Sequence, residues 1–154
     1  MISLKRKQQR LGLSGQSKGF TIVELLIVIV VIGILAAIVI TTFVGVQKKG
    51  RDADRKSDIN SIYSQVEVYF AEKAAYPTAA NINDATWRGT NLKGLTEDAI
   101  HAPGSSTELQ TSGTATTYYV YDATPAGCTT DCTGFTLTAY LENGGSFVKT
   151  GSNN

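Results

Sequence analysis

A single histidine and two cysteines are all that the 154 residues offer of the side chains best suited to binding metals or acting as nucleophiles. His101 has no ligand spacing around it and is expected at the surface. No glycine-rich phosphate loop, paired catalytic carboxylates, nucleophile elbow or histidine-rich cluster can be found. The chain is therefore expected to have no enzyme activity, and no cofactor or metal is assigned. Acidic residues are missing from residues 1 to 19, which hold Lys5, Arg6, Lys7, Arg10 and Lys18. Setting those five of the 14 basic residues aside leaves nine against 13 acidic ones, a charge of about −4 for the rest of the chain. That balance argues against a nucleic-acid-binding body, and no direct nucleic-acid contact is inferred.

Charge nearly vanishes between Phe20 and Val46, which read FTIVELLIVIVVIGILAAIVITTFVGV, with Glu24 as the single charge and no proline. As a helix this run would be roughly 40 Å long, enough to cross a hydrocarbon core of about 30 Å with some tilt. Basic residues before it and an acidic body after it predict a cytoplasmic N-terminus and an outward-facing C-terminal domain. An ordinary secretory signal would place a small-residue cleavage site after its apolar stretch, and would lose that stretch on cleavage. Here the small-residue junction, Lys18-Gly19-Phe20, comes before the apolar run. Cutting there would remove the basic arm and keep the hydrophobic helix at the new N-terminus.

The segment Lys18-Gly19-Phe20-Thr21-Ile22-Val23-Glu24-Leu25-Leu26 resembles the processing motif of type IV pilins and pseudopilins. It joins a basic leader, a glycine, an aromatic residue, a glutamate four residues on and about twenty apolar residues in fixed order, a conjunction far more specific than a lone short motif. The resemblance implies that a membrane prepilin peptidase cleaves after Gly19 and methylates the new amino group of Phe20. It also implies that the helix polymerises into a fibre with the help of an inner-membrane assembly platform. A carboxylate held at the bilayer centre costs up to about 2.5 to 3.5 kcal/mol, so Glu24 calls for compensation. The family's answer is the freed amino terminus of Phe20 on a neighbouring subunit; the bland alternative is that Glu24 snorkels to the cytoplasmic interface. Gly33 matches a glycine often present in the family's membrane helix, and small residues pack helices closely in any membrane. Many pilins have a proline where this chain has Thr41 after Ile40, so no proline break is expected.

Beyond Val46 the run QKKGRDADRKSD is dense in charge, with Asp52 and Lys56 at the helical i, i+4 spacing. It reads either as solvated surface or as a fibre contact. Ile59, Ile62, Tyr63, Val66, Tyr69 and Phe70 recur at intervals of three and four, the mark of a helix burying one face. Pro77 disfavours helical geometry at Tyr76, so a continuous helix is expected from about Phe20 to Ala75. The Thr-, Ala-, Asn-, Gly- and Ser-rich stretch 78 to 116 reads as a long, partly ordered connection with scattered anchors at Trp87, Leu92, Leu95 and Ile100 and one short helix near 95 to 101.

Strand character appears at Thr117 to Asp122 and in the alternation from Phe135 to Leu141, and Asn143-Gly144 signals a tight turn before Phe147 and Val148. Most of the tyrosines are assigned to packing, Tyr63 and Tyr69 on the helix and Tyr118, Tyr119, Tyr121 and Tyr140 in the strands. Cys128 and Cys132 fall in the loop between the first two strands. The oxidising side of the membrane makes a disulfide the default, because two thiols are too few for a metal site and a redox pair would more usually be C-x-x-C.

The expected fold class is α+β, a long N-terminal helix packed on a small antiparallel sheet, as in type IV pilins. Its parts are a cleaved leader at 1 to 19, a membrane or fibre-core helix at 20 to 46, an amphipathic continuation at 47 to 76 and a head at 77 to 154. The expected function is that of a structural subunit of a type IV pilus, resident in the inner membrane as a single-pass precursor in contact with lipid before it self-assembles. Two alternatives stand beside it. A pseudopilin of a type II secretion system would typically carry a calcium loop in its head, for which Asp122, Asp131 and Glu142 are candidates without recognisable ligand spacing. A tethered binding protein would need neither the glycine-aromatic junction nor Glu24.

Overall fold

The computed structural model describes residues 19 to 153, so the basic leader through Lys18 lies outside the described residues. Helix α1, Ile22–Lys73, takes in the apolar run, the charged run and the amphipathic stripe. The chain divides into two compact units at Ile40 and Thr41. The first is the apolar start of α1, whose large side chains from Ile22 to Ile40 are exposed. This is the one helix among the described residues long and apolar enough to cross a membrane.

The second unit is the remainder of α1 together with the head. Here Ile59, Ile62 and Val66 are wholly buried, and Tyr63, Tyr69 and Phe70 pack at the margin of the same core. α1 ends at Lys73, two residues before the expected stop. Ala74 turns into the left-handed region at φ 56° while its N–H still donates to the Phe70 carbonyl. Tyr76 N–H then donates to Cys132 O at 2.8 Å, and its ring stacks on Phe70 at 4.3 Å between centroids. Proline after the helix thus acts as anticipated, but a left-handed C-terminal residue closes the helix first.

Three antiparallel strands lie in the order β1-β2-β3: β1 Tyr119–Thr124, β2 Gly134–Tyr140 and β3 Ser146–Thr150. β1 is shifted about two residues along the chain from its expected place. Tyr119 pairs with Ala139 and Tyr121 with Leu137, so every second residue points inward and Tyr119, Tyr121, Phe135, Leu137 and Ala139 are all buried. Phe135 gathers the rings of Tyr76, Tyr121 and Tyr63 at 4.9, 5.1 and 6.1 Å. The Tyr119 hydroxyl donates to Asp58 on α1 at 2.6 Å. Burial, and then that carboxylate, push the phenol up, and burial raises Asp58 above its ordinary range.

The stretch 78 to 116 departs most from expectation. It holds two helices, α2 Ala79–Asn83 and α3 Ala85–Asn91, before a 3₁₀ turn at Asp98–Ile100. Thr78 and Asn81 form a reciprocal capping box at the start of α2, and Asp84 caps α3 by accepting from Trp87 N–H at 2.8 Å. Ile82, Leu92, Leu95 and Ile100 are buried, while Trp87 packs its ring 5.2 Å from Tyr69. Buried Arg88 donates to the carbonyls of Ile82 and Asn83 at 2.6 and 3.2 Å. His101 is partly exposed, with Nδ1 3.1 Å from Thr107 O.

The Cys128–Cys132 disulfide closes within the β1–β2 loop, with Cys132 in the core. At the C-terminal end, Gly151 is buried so tightly that a Cβ there would lie 3.0 Å from both Phe135 and Tyr76. Ser152 follows it and donates from N and Oγ to the Glu67 carboxylate at 2.9 and 2.5 Å.

Candidate processing and assembly site

Gly19, Phe20 and Thr21 precede α1 in non-helical backbone, so the expected cleavage junction is outside regular structure. Phe20 is 82% exposed. A Cβ built on Gly19 would touch nothing within 4 Å among the described residues.

Glu24 closes the start of the helix. Its Oε2 accepts from Thr21 N–H and Thr21 Oγ1, both at 2.8 Å, and the Thr21 hydroxyl oxygen accepts from Glu24 N–H at 3.2 Å. This is a reciprocal capping box, which satisfies two of the N–H groups that a helix start leaves unpaired. Neither the neighbouring-subunit partner nor snorkelling to water anticipates this local bond. The spacing Thr21-x-x-Glu24 was nonetheless the signal for it. Leu25, Gly33 and Ile40 follow on the exposed apolar surface of α1, and nothing lies within 4 Å of a Cβ built on Gly33. Val46, near the end of the apolar run, is likewise exposed.

The charged run has a structure that its sequence does not announce. Arg51 forks onto Glu142 in the β2–β3 loop, Nε to Oε1 at 2.7 Å and Nη2 to Oε2 at 2.5 Å. Arg55, 2% exposed, donates to Glu142 Oε1 at 2.8 Å, to Asp52 Oδ1 at 3.2 Å and to the Thr116 carbonyl. Asp52, 6% exposed, accepts from the backbone N–H groups of Glu142 and Asn143 and from the Asn143 side-chain amide at 2.7 Å.

The hydrogen bonds from Arg51, and then Arg55, hold the Glu142 carboxyl well down, at about 2. Burial pushes Asp52 up, but the N–H donors of Glu142 and Asn143 and the Arg55 charge outweigh it, leaving Asp52 below its ordinary value. Asp52 therefore pairs with Arg55 at i, i+3, whereas Lys56, its expected i, i+4 partner, is exposed. The run is thus not uniformly solvated: three of its charges fasten α1 to the head, while Lys49, Asp54 and Lys56 are exposed. Glu142 is consumed by two arginines, and no group of three metal-ligating side chains occurs among the described residues.

Residues 15 to 40 match the family model described as the prokaryotic N-terminal methylation motif. Over 66 residues, 43% of this chain, it is 38% identical to the type IV major pilin protein PilA of Myxococcus xanthus. Over 63 residues it is 35% identical to the type II secretion system core protein G of Dickeya chrysanthemi, and 33% identical to that of Escherichia coli. The matched segment takes in 30%, 41% and 43% of those proteins' own lengths, so the likeness spans less than half of each relative. No solved structure matches the chain. The chain carries the prepilin-type methylation motif on a fold consistent with that of type IV pilins, and over part of its length it is similar to both type IV pilins and type II secretion core proteins.

Proposed function

We propose that the chain is a structural fibre subunit of a type IV pilus, cut after Gly19 and methylated at Phe20 by a prepilin peptidase. Before assembly it sits in the inner membrane with its head outside, and an assembly platform then draws it into a homopolymer whose centre is the apolar part of α1. The observation that carries this reading is the run of large side chains from Ile22 to Ile40, exposed along a single helix within the residues that match the methylation motif. Such a surface is stable only in lipid or against copies of itself. In the membrane the Thr21–Glu24 box internalises part of the carboxylate's hydrogen bonding. In the fibre the same carboxylate accepts the freed Phe20 amine of a neighbour.

The alternative of a pseudopilin is favoured by the identity to the type II secretion core proteins of Dickeya chrysanthemi and Escherichia coli. It shares every step up to the length and location of the fibre. Intact mass spectrometry of sheared surface fibres and of membranes tests the proposal. A chain beginning at methylated Phe20 in sheared fibres is the expected result. The same mature chain confined to the cell envelope would favour the secretion pseudopilus. Full-length, unmethylated protein found only in membranes would overturn both readings and leave a tethered protein. Glu24→Ala should still insert into membranes and give no fibres; normal fibres from that variant would remove Glu24 from the assembly step.

A further inference from the structure

The β2–β3 loop, Leu141 to Gly145, is held onto α1 by Glu142, which takes Arg51 and Arg55, and by Asn143, whose side chain is chemically perishable. Asn143 is exposed and is followed by Gly144, which has no side chain to hinder attack by its own backbone nitrogen and adopts a positive φ of 91°. The Asn143 amide nitrogen donates to Asp52 Oδ2 at 2.7 Å, and the Asn143 backbone N–H donates to the same oxygen at 3.1 Å. The Gly144 N–H is engaged as well, donating to the Leu141 carbonyl at 3.1 Å. Both reacting groups of an asparagine–glycine pair are therefore tethered, and the principal tether is a buried carboxylate on another element.

We propose that Asn143 is a deamidation site kept slow by Asp52, and that its conversion irreversibly loosens the Asp52 side of the clasp between the β2–β3 loop and α1, leaving the Arg51 and Arg55 pairs with Glu142 in place. In the reaction the Gly144 nitrogen attacks Asn143 Cγ. An N–Cγ bond forms, the Cγ–Nδ2 bond breaks, and ammonia leaves with the proton from Gly144. Water from the solvent then opens the succinimide at either carbonyl, giving aspartate or isoaspartate. Either product replaces an N–H donor with a carboxylate facing the Asp52 carboxylate, in a setting where Asp52 already has Arg55 as its cation. Like charges at that range repel, and Asp52 Oδ2 is left with the Asn143 backbone N–H as its remaining donor. Isoaspartate also lengthens the backbone at the turn. Because attack requires both tethers to release, the rate should follow local opening of the loop.

The test ages the full-length protein in detergent micelles, beside the same protein in urea, and maps deamidation by peptide mass spectrometry that resolves isoaspartate. Asn60 and Asn91, which lack a following glycine, serve as internal references. Folded wild type should deamidate at Asn143 on the order of tenfold more slowly than in urea, and Asp52→Ala should recover most of that factor while the references stay slow. Asn143→Asp, which mimics one product, should raise amide exchange across residues 141 to 145. Equal wild-type rates in micelles and urea, or wild-type exchange in Asn143→Asp, would overturn the proposal. So would a folded Asp52→Ala that remains as slow as wild type. Should Asp52→Ala lose its near-ultraviolet circular dichroism, the wild-type and Asn143→Asp measurements still decide the matter.

Discussion

The two ends of α1 share one secondary structure and have opposite surroundings. From Ile22 to Ile40 bulky side chains face outward on all sides, whereas from Ile59 to Phe70 one stripe is buried and the opposite face carries Asn60, Ser61, Ser64 and Val68 in solvent. An apolar side chain is stabilising only against something that excludes water, and the head supplies that for the second region alone. Helical conformation at the start of α1 rests on local terms, namely the Thr21–Glu24 box and unbroken backbone bonding. Toward the end of α1 it rests on tertiary burial.

Substitutions can sharpen this contrast. The largest effect is expected from Arg55→Ala, which leaves buried Asp52 without its cation and Glu142 with Arg51 alone. Breaking a buried pair in this way typically costs about 3 to 5 kcal/mol, read as a lower denaturation midpoint of the head by tyrosine and tryptophan signals. Ile62→Ala should cost about 2 to 5 kcal/mol by the same measurement, because it leaves a cavity under the sheet. Ile29→Ala removes a side chain of the same kind from the exposed region and should leave the head's midpoint unchanged. A comparable loss in Ile29→Ala would break the comparison.

Acid should act on the second region with a known sign. Glu142 and Asp52 are both more acidic in the folded head than in the unfolded chain, so their stabilisation is complete at neutral pH. It is lost as pH falls below about 4 toward the Glu142 value of about 2. A thermal scan series through that window should show the midpoint dropping in wild type and dropping less in Glu142→Gln. The smallest effect belongs to Thr21→Ala. Loss of the cap should cost about 1 kcal/mol of helix stability, seen as faster amide exchange confined to the first turn, with the head unaffected.

Much of this was legible in the sequence because it repeats along the chain. The intervals joining Ile59, Ile62 and Val66 are helical, and the alternation from Phe135 to Ala139 is that of a strand with one buried face. The processing motif is a local string of residues. What escaped was short or distant. α2 and α3 have five and seven residues, too few for a periodicity to show, and their starts are set by Thr78, Asn81 and Asp84, which resemble turn residues when read in line. The clasp joins Asp52 and Arg55 to partners 87 to 91 positions away, and nothing in the local order of QKKGRDADRKSD marks which of its charges will be buried. Ion pairs of that kind depend on where the sheet folds back.

The end of the second unit carries a practical consequence for anyone who would decorate the molecule. Gly151 fills a slot between Phe135 and Tyr76 that a side chain could enter only by pushing those rings back, and Ser152 is fastened to Glu67. A peptide epitope or fluorescent reporter should therefore be joined at Asn153, which is exposed, whereas trimming back to Thr150 before attaching it would pull the plug from the aromatic cluster.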